Sequence, residues 1–475
     1  MPEIPAEVQT AIDQSAIVGN SAWLLASAAL VLLMTPGLAF FYGGMSRSKS
    51  VLNMIMMSFS AMALVSVLWV LYGNAITFGT TRSGLVGWTS GYVGLRDLIV
   101  GAGTNEAVST NNLPDIVFAS FQVMFAIITV ALISGAVADR MKFGAWIAFT
   151  AIWVSVVYFP VAHWIFFFGT ANAAGEGTGA GFSAGLCDGG TGGWIVIRLG
   201  ALDLAGGTAV HITAGAAALA LVLVLGRRRG FGREPMRPHN LPFVMLGAGL
   251  LWFGWFGFNA GSALSAGSFA GLAFINTQVA TGAAVLAWLG TERLRDGHAT
   301  TLGAASGAVA GLVAITPACG FVNPLGAIAI GLVAGGACAF AVTFKHRLGY
   351  DDALDVVGVH LVGGLVGTLM IGVVADPQFA AGYESVLSGG SFTLLGKQAL
   401  AAGAVVAYSF VVTLLIALVL KATIGLRVGE DEEVTGIDQV THAETAYELT
   451  GGLGGGGALA QAGVAAPGAS QRVSS

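Results

Sequence analysis

Two short stretches carry most of the chemistry this sequence offers. "DLAGGTAVHITAG" contains Asp203 and His211, and "DVVGVHLVGG" contains Asp355 and His360. Each sets an aspartate a few residues ahead of a histidine in an apolar, glycine-bearing run. Aspartate at a helix start accepts hydrogen bonds from free N–H groups and complements the positive end of the dipole, which makes Asp203 and Asp355 candidate structural caps. A neutral imidazole offers one donor and one acceptor, so His211 and His360 are able to supply polar contacts in dry surroundings; the alternative is a pair of satisfied packing histidines. Neither pair suits a metal, because no third Cys, His or carboxylate stands at ligand spacing and H-E-x-x-H is absent. The three cysteines, Cys187, Cys319 and Cys338, are far apart with no C-x-x-C. With no G-x-S-x-G, Walker A or strand-turn-helix G-x-G-x-x-G, the chain offers no nucleotide site or hydrolase nucleophile, so neither an enzyme nor a cofactor is expected.

The elements that position these residues must be membrane helices. The chain has 475 residues, 55% hydrophobic and only 9% charged, with mean hydropathy +0.81, where a soluble globule carries roughly 25% charged residues. Its 71 glycines follow no G-X-Y period and only 12 prolines accompany them, so they belong inside helices, where small residues let backbones approach. Charge excludes a nucleic-acid surface: seven acids and no Lys or Arg lie between Glu430 and Glu448, and the rest of the chain is close to neutral.

Eleven apolar runs are long enough for ~30 Å of hydrocarbon, at about 20 residues each. They fall near residues 21–43, 52–77, 114–137, 143–168, 202–226, 241–263, 268–290, 299–318, 325–344, 354–375 and 397–421. Alternate loops then hold 15 and 4 of the basic residues, which predicts an external N-terminus and an internal C-terminus. The first run lacks a basic flank and reads as a retained helix. His163, after Pro160 near the outer end of the fourth run, reads as an interfacial packing residue. His239, His298 and His346 read as solvated loop residues. Four regions follow: a short external segment at 1–20, a membrane domain at 21–424, an acidic, partly apolar cytoplasmic tail at 425–449, to which the family resemblance given below adds a regulatory role, and a disordered Gly/Ala/Ser tail at 450–475.

"PGLAFFYGG" in the first helix and "FGWFGFNAGS" in the sixth are similar aromatic and glycine strings. A repeat of helices one to five as six to ten inverts the second copy, with a C-terminal helix added, and inverted repeats place substrate at their interface. Helices five and ten then enter from opposite faces. Eight residues (~12 Å) and five residues (~7.5 Å) of rise carry His211 and His360 toward the middle, where they are able to meet.

The ordered set "TPGLAFFYGGMSRSKSVLN", "SFQVMFAIITVALISGAVADRMKF", "DLAGGTAVHITAG", "WFGWFGFNAGSA", "AGLVAITPACGFVNP", "DVVGVHLVGGLVGTL" and "GLRVGEDEEVTGIDQVTHAETAYEL" resembles the ammonium transporter (Amt/Mep/Rh) family from about Ser21 to Leu449. The resemblance implies a homotrimer in the plasma membrane with a narrow pore in each subunit. It implies twin pore histidines at His211 and His360, gate phenylalanines at Phe125 and Phe258, and an outer ammonium site using Ser262, Phe121 and an aromatic on helix four. Asp203 would be the family's aspartate near that site, and the acidic tail would admit a PII-type signal protein. An ammonium sensor of the same fold is the nearest alternative. One departure stands out: "AHWIFFF" puts Phe166 where the family pattern has tryptophan, and Phe167 and Phe168 where glycines usually follow. Trp164 cannot take over, because two residues along a helix turn it about 200° away.

Overall fold

The computed structural model describes residues 5–447 apart from 82, 100–107, 110–112 and 170–191. Cys187 and the Gly/Ala/Ser segment at 450–475 lie outside the described residues. The apolar runs become α1 (Ala6–Met45), α2 (Val51–Phe78), α3 (Asp115–Val137), α4 (Phe143–Phe166), α5 (Gly207–Leu225), α6 (Leu241–Gly261), α7 (Ser268–Asp296), α8 (Thr301–Ile315), α9 (Pro324–Leu348), α10 (Val357–Val374) and α11 (Thr393–Thr423). Ten are long and apolar enough to cross a membrane, and α8 is shorter, at 15 residues. The first helix extends further than the apolar run indicates: it starts at Ala6 and spans 40 residues, because the segment before residue 21 contains no internal proline or glycine pair to stop it.

Pairing of α1 with α6 rests on glycine. A Cβ at Gly247 would lie 2.3 Å from the Phe41 amide nitrogen, and one at Gly254 would lie 2.6 Å from the Leu30 carbonyl oxygen. No larger residue fits, so the two helices that carry the similar aromatic strings meet backbone to backbone. The helices also carry apolar side chains outward: Leu286 is 71% exposed and Leu415 is 57% exposed, the expected face toward lipid.

A second glycine arrangement joins α5 to α10. Four residues after His211, a Cβ on Gly215 would lie 2.6 Å from the Leu361 Cβ; four residues after His360, a Cβ on Gly364 would lie 3.0 Å from the Gly207 carbonyl and from Ile212. Each glycine therefore admits the turn that bears the other helix's histidine. Both histidines sit on π-helical turns, Gly207–Ile212 and Val357–Leu361, a local widening that recurs at functional sites. From α11, Gln398 accepts from the Leu202 amide at 2.7 Å and donates to the Leu202 and Thr368 carbonyls at 2.7 and 3.1 Å, fixing the approach to α5 against α10.

The acidic tail folds back on the bundle. Beyond α11 it forms α12 (Glu430–Thr435) and a turn at Asp438–His442. Asp438 accepts from the Leu52 and Asn53 amides at 3.0 and 2.8 Å, capping α2 from another part of the chain. Lys49 donates to the Val434 carbonyl. Glu433 is buried, 2.7 Å from Arg427, 3.8 Å from Arg47 and 2.8 Å from the Arg229 amide. The tail is therefore held by Arg47, Lys49, Arg427 and the Arg229 backbone. His239 is tied in as well, 3.0 Å from the Ser46 carbonyl and 2.9 Å from the Tyr447 hydroxyl, and is not a free loop residue.

Candidate functional site

A column of rings runs through the bundle from the side away from the tail. Phe121, buried on α3, meets Phe125 edge-on with centroids 4.8 Å apart. Phe121 and Phe125 share a face because residues four apart lie one above the other on a helix. Phe166, at the end of α4, meets the same Phe125 ring at 6.2 Å, also edge-on. Phe125 and Phe258 are then 4.3 Å apart with planes 33° from parallel, both buried. Ser262, four residues after Phe258 and partly buried, donates its hydroxyl to the Phe258 carbonyl at 2.8 Å. That bond uses the proton of Ser262 and leaves its oxygen lone pairs as acceptors.

Beyond Phe258 the column reaches the histidines. The His211 ring lies 6.2 Å from Phe258 and 5.4 Å from Trp255, nearly parallel to both. The Nδ1 atoms of His211 and His360 are 3.3 Å apart. One Nδ1 must carry the proton and the other accept it, so in neutral rings one Nε2 is an acceptor and the other a donor. His211 Nε2 is buried with no protein partner. Otherwise the narrow cavity beside the pair has apolar walls, including Met34, Ile128, Leu132, Leu251 and Val309. A small neutral molecule that both donates and accepts hydrogen bonds finds both functions there and little else.

Asp203 is buried 3% exposed at the far-side start of α5. Its Oδ1 accepts from the Gly206 and Gly207 amides at 2.8 Å each, and its Oδ2 from Thr208 at 2.7 Å and Ala209 at 3.2 Å. These are the orphan donors of a helix start. Gly206, at φ +109, makes the sharp entry, and a Cβ built on it would lie 3.4 Å from the Phe166 ring. Asp203 therefore stands behind Phe166, holding the turn it rests on.

Asp355 does not cap α10. The Val356 and Val357 amides bond Asp352, at 3.1 and 2.7 Å. Asp355, at φ +63, turns its carboxylate to Lys345, 2.6 Å away. The left-handed residue separates Asp355 from the helix axis and brings the earlier aspartate into the capping position. Burial and the neighbouring Asp355 push the Asp352 carboxyl above the usual carboxylate range. On the tail side Arg228 spans Asp139 at 3.1 Å and Asp351 at 2.8 Å, and Arg47 reaches Asp139 at 3.0 Å. Arg140, fully buried, donates to the Asp351 and Gly226 carbonyls at 2.5 and 2.9 Å, and burial pulls its guanidinium down to about 10.

His163 is fully buried rather than interfacial, its Nδ1 2.7 Å from the Thr77 carbonyl and its ring stacked on Phe167 at 4.8 Å. It pins the last turn of α4, which bears Phe166, to the end of α2. Trp164 turns away from the column: its indole N–H donates to the Leu85 carbonyl at 2.7 Å and its ring lies 4.7 Å from Tyr408. Trp255 went unnoticed in the sequence, although its place three residues before Phe258 puts both on one face of α6.

The family model described as Ammonium Transporter Family matches residues 22–447. The chain belongs to the ammonium transporter family. It is 58% identical over 447 residues to an ammonium transporter of Mycobacterium tuberculosis, covering 91% of this chain and 90% of that protein. It is 41% identical over 429 residues to ammonium transporter Amt1 of Archaeoglobus fulgidus, covering 90% and 99%. Among solved structures it resembles Saccharomyces cerevisiae Mep2, with TM-score 0.74 and 33% identity over 87% of this chain and 90% of that one. It also resembles a structure titled Sensor Amt Protein, with TM-score 0.78 and 30% identity over 90% and 98%. As a member of this family the chain is a multi-pass membrane transporter and not an enzyme.

Proposed function

We propose that the chain takes up ammonium across the plasma membrane by binding NH4+ on the far side, removing a proton and passing NH3 along the histidine pair. The observation that carries this reading is the Nδ1 contact of His211 and His360 at the end of a closed aromatic column in an otherwise apolar passage. Phe121 and Phe166 attract a cation through their ring faces, and the Ser262 oxygen accepts one of its N–H bonds. Ammonium is close to potassium in size, so size alone does not select it; hydrogen-bond donation does. Past Phe125 and Phe258 a bare ion loses its hydration with nothing to replace it. Neutral NH3 does not, and it is matched by one acceptor and one donor Nε2. The released proton goes back to the entry side or travels separately by way of the imidazoles.

In this reading the far side is external, the N-terminus lies outside and the C-terminus inside. Cysteines at Ser83 and Ser388 label in intact cells and one at Gly230 only after permeabilisation; labelling of position 230 in intact cells contradicts it. The subunits form a homotrimer, and the docked tail receives a cytoplasmic PII-type signal protein. The likeness to a sensor protein supports a second reading, in which signalling dominates and flux is secondary. Uptake of methylammonium by cells whose own ammonium transporters are deleted separates the two: saturable uptake supports transport, and silence with normal amounts in the membrane favours the sensor.

A further inference from the structure

The wall of the passage beside His211 is a ring that comes from α6. Trp255, buried, lines the same narrow cavity as His211 and His360, with its plane 21° from that of His211 and the centroids 5.4 Å apart. An indole N–H is a donor only, and a buried one needs an acceptor, which then fixes the ring. That acceptor is the Thr316 hydroxyl oxygen at 2.8 Å, one residue beyond the end of the short helix α8. Thr316 is fully buried and commits its own proton to the Leu312 carbonyl at 2.7 Å, so its lone pairs are what the indole meets. The cavity's described lining includes Trp255 and not Thr316. The next residue serves the opposite wall. The Pro317 carbonyl accepts from the Leu204 amide at 3.1 Å, and a Cβ on Gly207, in the first turn of the helix that carries His211, would lie 2.4 Å from Pro317 Cγ. One short turn after α8 therefore holds both rings, Trp255 by a side chain and His211 through its helix.

The cavity has a volume of about 10 Å³, scarcely the room that one water-sized molecule takes. Ammonia is of that size; methylamine carries a methyl group besides. Apolar walls favour an added methyl group, so only lack of room opposes it there. We infer that Thr316 is a positioning residue: by anchoring Trp255 against His211 it sets a width that passes ammonia in preference to methylamine. The inference rests on the transport reading above, in which the neutral amine moves along the histidine pair.

The test uses the full-length chain in cells whose own ammonium transporters are deleted, and reads the ratio of maximal uptake rates for labelled methylammonium and labelled ammonium. Thr316→Val keeps the shape and removes the acceptor, and the ratio rises about tenfold, the low end of what one added carbon is worth to an apolar pocket. Thr316→Ser keeps the hydroxyl and the unsubstituted ratio. Trp255→Phe, smaller and without an N–H, raises the ratio by itself, and adding Thr316→Val to it raises the ratio no further. A Thr316 that only packs lowers the amount of protein or both rates together, and its effect adds to that of Trp255→Phe; that result overturns the inference. Should Thr316→Val not reach the membrane, Thr316→Ala, which also lacks the acceptor, and Trp255→Phe carry the test. Unchanged ratios in transporting variants overturn the inference and leave the transport reading standing; an unsubstituted chain that moves neither amine overturns both.

Discussion

At the start of α5, Asp203 accepts from four backbone amides with no cation among its contacts in the described residues, whereas at the start of α10 Asp352 accepts from two, with Asp355 and Lys345 beside it. Both starts nonetheless lead into a π-helical turn that bears a histidine, and both histidines precede by four residues a glycine pressed against the opposite helix. The backbone device is shared and the charge around it is not. The shared part fixes where the imidazoles meet; the unshared part is how the carboxylates at each helix start are compensated.

Removing the caps breaks this comparison most severely. A buried amide left without a partner costs about 1–3 kcal/mol, so Asp203→Ala, with four to lose, is expected to abolish stable expression. Asp352→Ala, with two, costs roughly half as much and leaves measurable protein. Thermal unfolding in detergent checks the order, and equal losses would show that the amide count does not set the cost. Next come the histidines. His211→Ala or His360→Ala removes a polar contact from an apolar passage without opening a cap, so uptake falls by well over about tenfold, a loss above ~1.4 kcal/mol in transition free energy, at near-normal amounts of protein. Retention of rate and selectivity in both variants would make them packing residues.

A smaller effect is expected at Phe166, which meets the Phe125 ring at the end of α4. Tryptophan has the strongest cation–π face, so Phe166→Trp tightens apparent affinity by a fraction of the roughly 0.5–2 kcal/mol that a cation–π contact is worth, and Phe166→Ala weakens it. Half-saturation of uptake reads this directly, and constancy in both variants would assign recognition to Ser262 and Phe121. The smallest effect is expected from the tail. Truncation after Lys421 removes the Glu433 and Asp438 contacts and alters the maximal rate while half-saturation at the far side stays put. A shift in half-saturation instead would couple the tail to the outer site.

The apolar runs were legible because hydrophobic length is a bulk property, insensitive to detail: ten of eleven emerge as full-length helices, although the first begins well before its apolar run, at Ala6. The meeting of His211 and His360 was legible from helix direction and rise. The cap of α10 was not. Choosing Asp352 over Asp355 depends on the left-handed conformation of Asp355 and its ion pair with Lys345 on α9, and neither shows in a local pattern. The π-helical turns left no signal that propensity could register. The burial of His163 was missed because Pro160 suggested a helix end, while its position is decided by a bond to Thr77 in a different helix. Position along each helix was readable, and with it the depth at which the two histidines meet; the individual side-chain bonds that tie one helix to another were not.

The central claim is that the passage between Phe258 and His360 admits neutral ammonia and no bare cation. Parallel flux of ammonium and potassium into proteoliposomes containing the full-length chain, under equal gradients and with membrane potential clamped, tests it most directly. The account predicts saturable ammonium flux with potassium flux at the level of protein-free vesicles. Potassium flux that rises with the amount of protein and approaches that of ammonium would contradict it.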